Sequence, residues 1–228
     1  MKKMLKPYRK AVLPMLMAIT AFSCSDEIYQ HAEDTGGLPI KLTGHIRQQN
    51  LTRANEQGFV TGDRMGIYIV DYDNDAPGIL STSGNRASNV LYTFDGEEYE
   101  WTAPLQLYWR DARTPVDVYG YYPGVNSISD PTAYPFEVSW QQNAEPREGE
   151  MSNYEASDLL WGKAERIMPS MQEIVVNYTH QLSGIFVTLQ KGEGVSDIEW
   201  GKLDKIVQAD NTTRTCDFNL QTAAITPT

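Results

Sequence analysis

Histidine, cysteine and basic charge are scarce in this 228-residue sequence, and each scarcity removes a class of function. The three histidines, His31, His45 and His180, are too widely spaced for an H-E-x-x-H helix or any other close ligand pair. His180, at the end of a hydrophobic run, reads as a hydrogen-bonded structural residue. Nineteen Lys and Arg stand against 30 Asp and Glu, a net charge of −11. That balance repels phosphate backbones and excludes nucleic acid as a partner. No apolar run reaches the roughly 20 residues that a membrane-spanning helix needs. No segment carries a sustained helical stripe, and there is no internal repeat. There is no G-x-S-x-G, no P-loop and no dinucleotide-binding fingerprint. The carboxylates are scattered, so a catalytic acid pair would have to be assembled by folding into a pocket. The chain is read as non-catalytic, without metal or cofactor.

Two partial motifs do not change that reading. Asp71, Asp73 and Asp75 fill the first, third and fifth places of a twelve-residue calcium loop. The sixth place holds Ala76 where Gly is needed and the twelfth holds Thr82 where Glu is needed. A solvated acidic loop is favoured over a weak calcium site. Asp34–Gly36 spell D-T-G, the aspartic protease triplet, but no apolar strand precedes them and no second copy exists.

What is present begins at the N-terminus. Lys2, Lys3, Lys6, Arg9 and Lys10 precede a short apolar stretch from Ala11 to Phe22, interrupted by Pro14, and Ser23-Cys24 follow. A basic head, a short apolar middle and a small residue describe an export signal rather than a permanent anchor. Ala21-Phe22-Ser23-Cys24 looks like a bacterial lipobox with Ala in the usual Leu place, which makes Cys24 the site of lipidation. A plain secretory signal with an incidental cysteine is the alternative. Each buried methylene contributes about 0.8 kcal/mol, so two or more acyl chains hold a protein stably on a membrane. Cleavage before Cys24 removes five basic and no acidic side chains, which takes the charge from −11 to −16. With Cys24 acylated, Cys216 stands alone, and neither an intrachain disulfide nor a cysteine metal centre is available. In R-T-C-D-F-N-L, Cys216 reads as a small buried strand residue. Ser25-Asp26-Glu27 resembles the signal that sends lipoproteins of some Gram-negative anaerobes to the outer face of the outer membrane. A solvated tether is the alternative.

Residues 1–23 are therefore read as signal peptide, 24–37 as a flexible tether and 38–228 as one β domain. Thirteen Tyr and five Trp favour strands. In L-P-I-K-L-T-G-H-I, Ile40, Leu42 and Gly44 alternate with Lys41, Thr43 and His45, and Ile46 is read as a break in the pattern. The polar stretch R-Q-Q-N-L-T-R-A-N-E-Q-G follows, and D-R-M-G-I-Y-I-V-D-Y is a second strand. Asp95-Gly96 between aromatic-rich runs marks a hairpin. Val116, Val118 and Gly120 alternate with Asp117, Tyr119 and Tyr121, and Pro123 stops that strand. Residues 123–157 read as a long excursion with a brief strand at F-E-V-S-W. S-D-L-L-W-G-K-A, two strands in Q-E-I-V-V-N-Y-T-H-Q-L-S-G-I-F-V-T-L-Q-K-G broken near Leu182-Ser183-Gly184, L-D-K-I-V-Q-A and R-T-C-D-F-N-L complete the set. Many short strands with frequent turn signals describe an all-β, antiparallel β-sandwich with long loops. Within it Gly62-Asp63 makes a turn, Gly66 allows a tight strand entry and Phe59 pins a loop to the core. Gly120 leaves room for a neighbouring ring, and Trp109 and Trp161 anchor the core.

The phrases L-T-R-A-N-E-Q-G-F-V-T-G-D-R-M-G-I-Y, L-Y-W-R-D-A-R-T-P-V-D-V-Y-G-Y-Y-P, S-D-L-L-W-G-K-A, I-V-V-N-Y-T-H-Q-L-S-G-I-F-V-T-L and C-D-F-N-L-Q-T-A-A-I-T occur in that order between residues 38 and 226. Together with the lipobox they resemble the N-terminal domain of the fimbrillin family. The resemblance implies a transthyretin-like β-sandwich and a lipoprotein precursor of donor-strand pili, held at the outer membrane through Cys24. It further implies proteolytic processing by an Arg-specific protease in the loop after the first strand, at Arg53 or, second, at Arg47. The first strand then leaves, and other fimbrial subunits pair in its place. Members usually carry a second β domain and a C-terminal strand for donation. The sequence stops at Thr228, so the chain is read as either truncated or a one-domain relative, and an anchor, terminator or tip-accessory role is expected ahead of a shaft role. The competing reading is a surface lipoprotein that binds glycans or host ligands through Tyr92, Tyr99, Trp101, Tyr134 and Trp140. Exposed rings on one face would favour it and buried ones would remove it.

Overall fold

The computed structural model describes residues 37–47, 58–98, 100–142, 151–183, 190–200 and 213–228. Cys24, Arg53, His31, Asp34–Gly36 and Tyr99 lie outside the described residues, as do the signal peptide, nearly all of the tether, the second strand expected after Gly184 and L-D-K-I-V-Q-A. The described elements in chain order are β1 (Leu42–Ile46), β2 (Arg64–Asp73), β3 (Ala76–Pro77), β4 (Ala87–Asp95), β5 (Glu100–Thr102), β6 (Val116–Tyr122), β7 (Tyr134–Glu137), α1 (Asn153–Ala156), β8 (Leu160–Ile167), β9 (Ile174–His180), α2 (Asp197–Trp200), β10 (Thr215–Phe218) and β11 (Ile225–Pro227).

The strands form two sheets. The larger runs β1-β9-β8-β6-β2-β4-β5, with β3 hairpinned onto β2; the smaller runs β11-β10-β7. Every pairing is antiparallel except β1 with β9, which is parallel. The large sheet curls until its two ends approach. A Cβ built on Gly44 of β1 would lie 3.6 Å from Trp101 Cε2 of β5. The all-β sandwich expected from the sequence is the observed fold, with the curl bringing it close to a barrel.

Period-2 alternation explains why there are two cores. Met65, Ile67 and Ile69 of β2 and Val116, Val118 and Tyr122 of β6 point into the curl, where they meet Leu42, Val90, Tyr92, Trp101, Leu160, Val176 and Tyr178. Tyr68 and Val70 of β2 and Tyr119 and Tyr121 of β6 point the other way, against Tyr134, Phe136, Cys216, Phe218 and Leu220 under the small sheet. All seven residues of β6 are buried as a result. Asp117 belongs to this strand and is sealed inside, 1% exposed. Its carboxylate accepts hydrogen bonds from Tyr72 Oη at 2.9 Å, Tyr119 Oη at 3.2 Å and Arg166 N at 2.8 Å. It also faces Lys163 Nζ at 3.1 Å. Burial pulls the Lys163 ammonium down, but hydrogen bonds to Glu165 and Asp117 outweigh that and hold it above its ordinary value.

Several sequence expectations are met in detail. β6 ends at Tyr122, before Pro123. Asp95 pairs with Glu100 across the Asp-Gly hairpin. Trp109 is buried and donates Nε1–H to Ser170 O at 3.2 Å. Trp161 is half-buried, packs on the second core and donates Nε1–H to Leu220 O at 2.7 Å. Cys216 is a buried free cysteine on β10, as read from its strand context. One expectation needs correction. Ile46 does not break the alternation of β1; it continues the even-numbered face and packs on the core. The described residues also include two helices, each a single turn. Ser152 caps α1 by accepting Glu155 N–H at 3.1 Å, and Ser152 N–H donates to Glu155 Oε2 at 3.0 Å. Ser196 and Glu199 repeat the arrangement at α2, at 3.2 and 3.0 Å. Four residues are too few to display a helical stripe, but S-x-x-E is spelled at both places.

Close approach fixes two glycines. A Cβ on Gly120 would fall inside the Tyr178 hydroxyl, and one on Gly66 inside the Tyr121 ring. Both rings are fully buried. Overpacking a filled core costs about 1–3 kcal/mol. Gly120→Ala is therefore expected to lower unfolding free energy by about 2 kcal/mol or more in denaturant titration. Gly192→Ala, where a Cβ would meet nothing within 4 Å, stays within about 0.5 kcal/mol of the parent.

Candidate functional site

The segment Leu38–Arg47 changes partner halfway along its length. Its first part lies antiparallel to residues 107–109: Trp109 N–H donates to Leu38 O at 2.9 Å, Ile40 N–H donates to Leu107 O at 2.8 Å, and Pro39 bridges Tyr108. The Gln106 amide secures this part, donating Nε2–H to Ile40 O at 3.0 Å and to Leu107 O at 2.8 Å. From Lys41 onward the partner is β9. Ile174 N–H donates to Lys41 O at 2.9 Å, the register runs Leu42↔Ile174 to Ile46↔Tyr178, and Arg47 N–H donates to Tyr178 O at 2.8 Å. β1 is thus an end strand of the large sheet, with β9 as its ladder partner.

Side chains hold the segment as firmly as its backbone does. Ile40 and Leu42 are 2% and 4% exposed, and Gly44 is also buried. Burying each of these branched side chains stabilises the native state by about 1.5–3 kcal/mol. Lys41, His45 and Arg47 face solvent. Below Gly44 lies the ring of Tyr178. A Cβ at position 44 would come 3.0 Å from Tyr178 Cε2 and 3.1 Å from Met65 Sδ. Tyr178 has no room to retreat: its hydroxyl covers Gly120 and donates to Met65 Sδ at 3.0 Å. The Phe59 ring meets it edge-on at 5.7 Å.

Phe59 is the pin that the sequence suggested. It is partly buried and touches Trp101 at 4.8 Å and Tyr122 at 5.5 Å in addition to Tyr178. The polar stretch that contains Arg53 is therefore flanked by two fixed points on Tyr178: Arg47 on its carbonyl and Phe59 on its ring. Immediately beyond, Asp63 N–H closes a turn onto Val60 O at 2.9 Å, as expected for Gly62-Asp63. The Asp63 carboxylate accepts from Val60 N–H at 2.8 Å and from Tyr122 Oη–H at 2.9 Å. Burial pushes the Asp63 carboxyl above the ordinary aspartate value, and these two hydrogen bonds offset only part of that.

The other residues singled out from sequence do not converge on a site. Asp71 is bound by Arg86, with Oδ2 to Nη2 at 2.6 Å, and Asp75 by Arg166 at 2.9 Å. The three aspartates line the β2–β3 hairpin rather than a cation loop, and among the described residues no group of three or more His, Cys, Asp and Glu could hold a metal. His180 Nδ1 lies 2.8 Å from Asp158 Oδ1, the structural role expected for it. Tyr92, Trp101 and Tyr134 are core residues, so they cannot form the exposed aromatic face that ligand binding would require; Trp140 alone of the four described rings is open, at 73%. Gln106 went unnoticed in the sequence. A single polar residue between Leu105 and Leu107 gives no hint that its amide clamps a neighbouring strand.

The position of Asp63 yields a pH test with a definite sign. A carboxyl raised on folding binds more protons in the native state than in the unfolded one, so its ionisation works against stability at neutral pH. As the pH falls from 7 through the raised value toward the unfolded value of 3.8, that opposition is relieved. The stability of the parent relative to Asp63→Asn, followed by urea titration at stepped pH, is expected to rise over this descent.

In sequence, residues 52–228 match the model of the family described as fimbrillin-like. In structure, the chain is similar to a candidate cell adhesion protein from Bacteroides uniformis. The TM-score is 0.57 at 21% identity, covering 85% of this chain and 67% of that one. A candidate cell adhesion protein from Bacteroides ovatus aligns with a TM-score of 0.56 at 16% identity, covering 84% of this chain and 70% of that one. At these identities the two structures speak to the fold. No curated protein matches the chain in sequence. The family match spans most of the sequence and agrees with the curled sheet and the small covering sheet: the chain belongs to the fimbrillin-like family.

Proposed function

We propose that this chain is a non-catalytic lipoprotein of fimbrial type, held on the outer membrane at the cell surface by lipid on Cys24. It acts as an anchor while β1 and its lipid stay in place, and as an accessory subunit that pairs with other fimbrial subunits by strand exchange at the β1 seam once cleavage releases β1 together with Cys24. The observation that carries this reading is the location of β1 at the end of the large sheet, with one ladder partner among the described residues and with Arg47 exposed where the strand stops. Loss of such a strand leaves one edge of β9 unpaired, and an unpaired sheet edge is a template for a strand from another chain. Membership of the fimbrillin-like family and the adhesion descriptions of the two similar structures support the same reading. The aromatic-face alternative has no comparable support, since three of its rings are in the core.

Mass spectrometry of protein recovered from outer membranes tests the proposal. The expected N-terminus is an acylated Cys24 before processing, and Ala54, or Gln48 as second choice, after it. Cys24→Ser is expected to move the chain from the membrane fraction to the soluble one, and Arg53→Gln to abolish the Ala54 terminus. An unacylated N-terminus elsewhere, or full membrane retention of Cys24→Ser, overturns it.

A further inference from the structure

The seam also prescribes what can occupy it. We infer that the strand accepted at this site runs parallel to β9 and carries glycine opposite Val176, with branched apolar residues two places to either side. The inference rests on the strand-exchange reading and names the chemistry of its partner.

The seated β1 supplies the template. Its inward positions are Leu42, Gly44 and Ile46, opposite Ile174, Val176 and Tyr178. The outer two fill apolar space in the curl. The middle one has no space to fill, because a Cβ there already lies 3.0 Å from a Tyr178 ring carbon and 3.1 Å from Met65 Sδ. Any atom beyond Cβ on that face must displace the ring. The ring cannot withdraw toward β6, because its hydroxyl sits against Gly120, and Phe59 stands edge-on to it. Tyr178 and Val176 belong to β9, Met65 to β2 and Gly120 to β6, none of them part of the leaving strand. The constraint therefore survives the departure of β1 and is met again by whatever enters. On the outward face, Thr43 is half-buried and His45 exposed, so the entering strand is free to vary there. A shift of one residue would place an outward side chain over Tyr178 and is excluded by the same contact. The glycine thus sets register as well as selecting the partner.

Peptide exchange on the full mature chain tests this. A specific protease site placed within residues 48–57 is cut, and the nicked protein is incubated with an excess of fluorescent peptide L-P-I-K-L-T-G-H-I-R; incorporation is read by native mass spectrometry. The parent peptide and one carrying His45→Val are expected to incorporate equally. A Gly44→Val peptide is expected to incorporate at least about tenfold less, with Gly44→Ala between them. Equal incorporation of the Gly44→Val and parent peptides overturns the glycine requirement and leaves strand exchange standing. Failure of every peptide, the parent included, overturns strand exchange and the inference with it.

Discussion

A tyrosine ring caught between two glycines sets the geometry of the curled sheet. Tyr178 reaches across the interior from β9 and touches Gly44 on one side and Gly120 on the other. Sheets that curl must place bulk somewhere in the middle, and a ring contributed by one strand demands that its neighbours contribute almost none. The same solution recurs on the opposite face, where Tyr121 covers Gly66. β2 and β6, adjacent in the sheet, each pair a glycine with a ring from elsewhere. Burial raises the Tyr178 phenol well above its ordinary value, and the hydroxyl finds a partner in the Met65 sulfur. A hydroxyl with that partner stays a neutral donor, and the interior remains free of charge at this level.

Among the described residues the most deeply buried charge lies on the other face of β6. Asp117 there is neutralised by Lys163 and held by two tyrosine hydroxyls and a backbone amide. The Lys163 ammonium also lies over the Tyr119 ring, 4.9 Å from its centroid. The Tyr119 phenol is pushed up to about 12, by burial first, with the Asp117 charge adding to it against the pull of Lys163. Such a network costs desolvation that a pair of apolar side chains would not, so its value lies in fixing one arrangement of strands. Here it ties β6 to β8 through Lys163 and Arg166, at the place where the register of those strands shifts between Val116 and Val118.

The fold was largely legible because its signals are local. Alternation in β2, β6 and β9, the Asp95-Gly96 turn and the stop at Pro123 each act within a few residues. Gly120 could be read as room for a ring, although nothing in the sequence identified the ring as Tyr178, which lies 58 positions away. What stayed hidden depends on distant partners. Tyr119 and Tyr121 look like an outward face until the small sheet covers them, and Asp117 does so until Tyr72, Lys163 and Arg166 close around it. Tyr92, Trp101 and Tyr134 look like surface aromatics until the curl encloses the first two and the third packs from the small sheet into the second core. The parallel pairing of β1 with β9 has no sequence mark at all, since the two strands are joined by most of the domain and share only an apolar alternation. The candidate site was half visible. Its strand and its flanking arginines are visible in pattern and resemblance, while Gln106 and the ring beneath Gly44 act through contacts between segments distant in sequence.

The buried thiol of Cys216 gives the small sheet its own chemical clock. Burial raises its pKa, so little of it is thiolate near neutral pH, and the side chain packs in the second core from β10, the middle strand of the small sheet. Alkylating reagents reach it only when β10 parts from its neighbours, and under rapid reclosing the labelling rate measures the free energy of that opening. The seam at β1 lies on the other sheet, so labelling at Cys216 reports whether losing the first strand loosens the whole domain or only its edge.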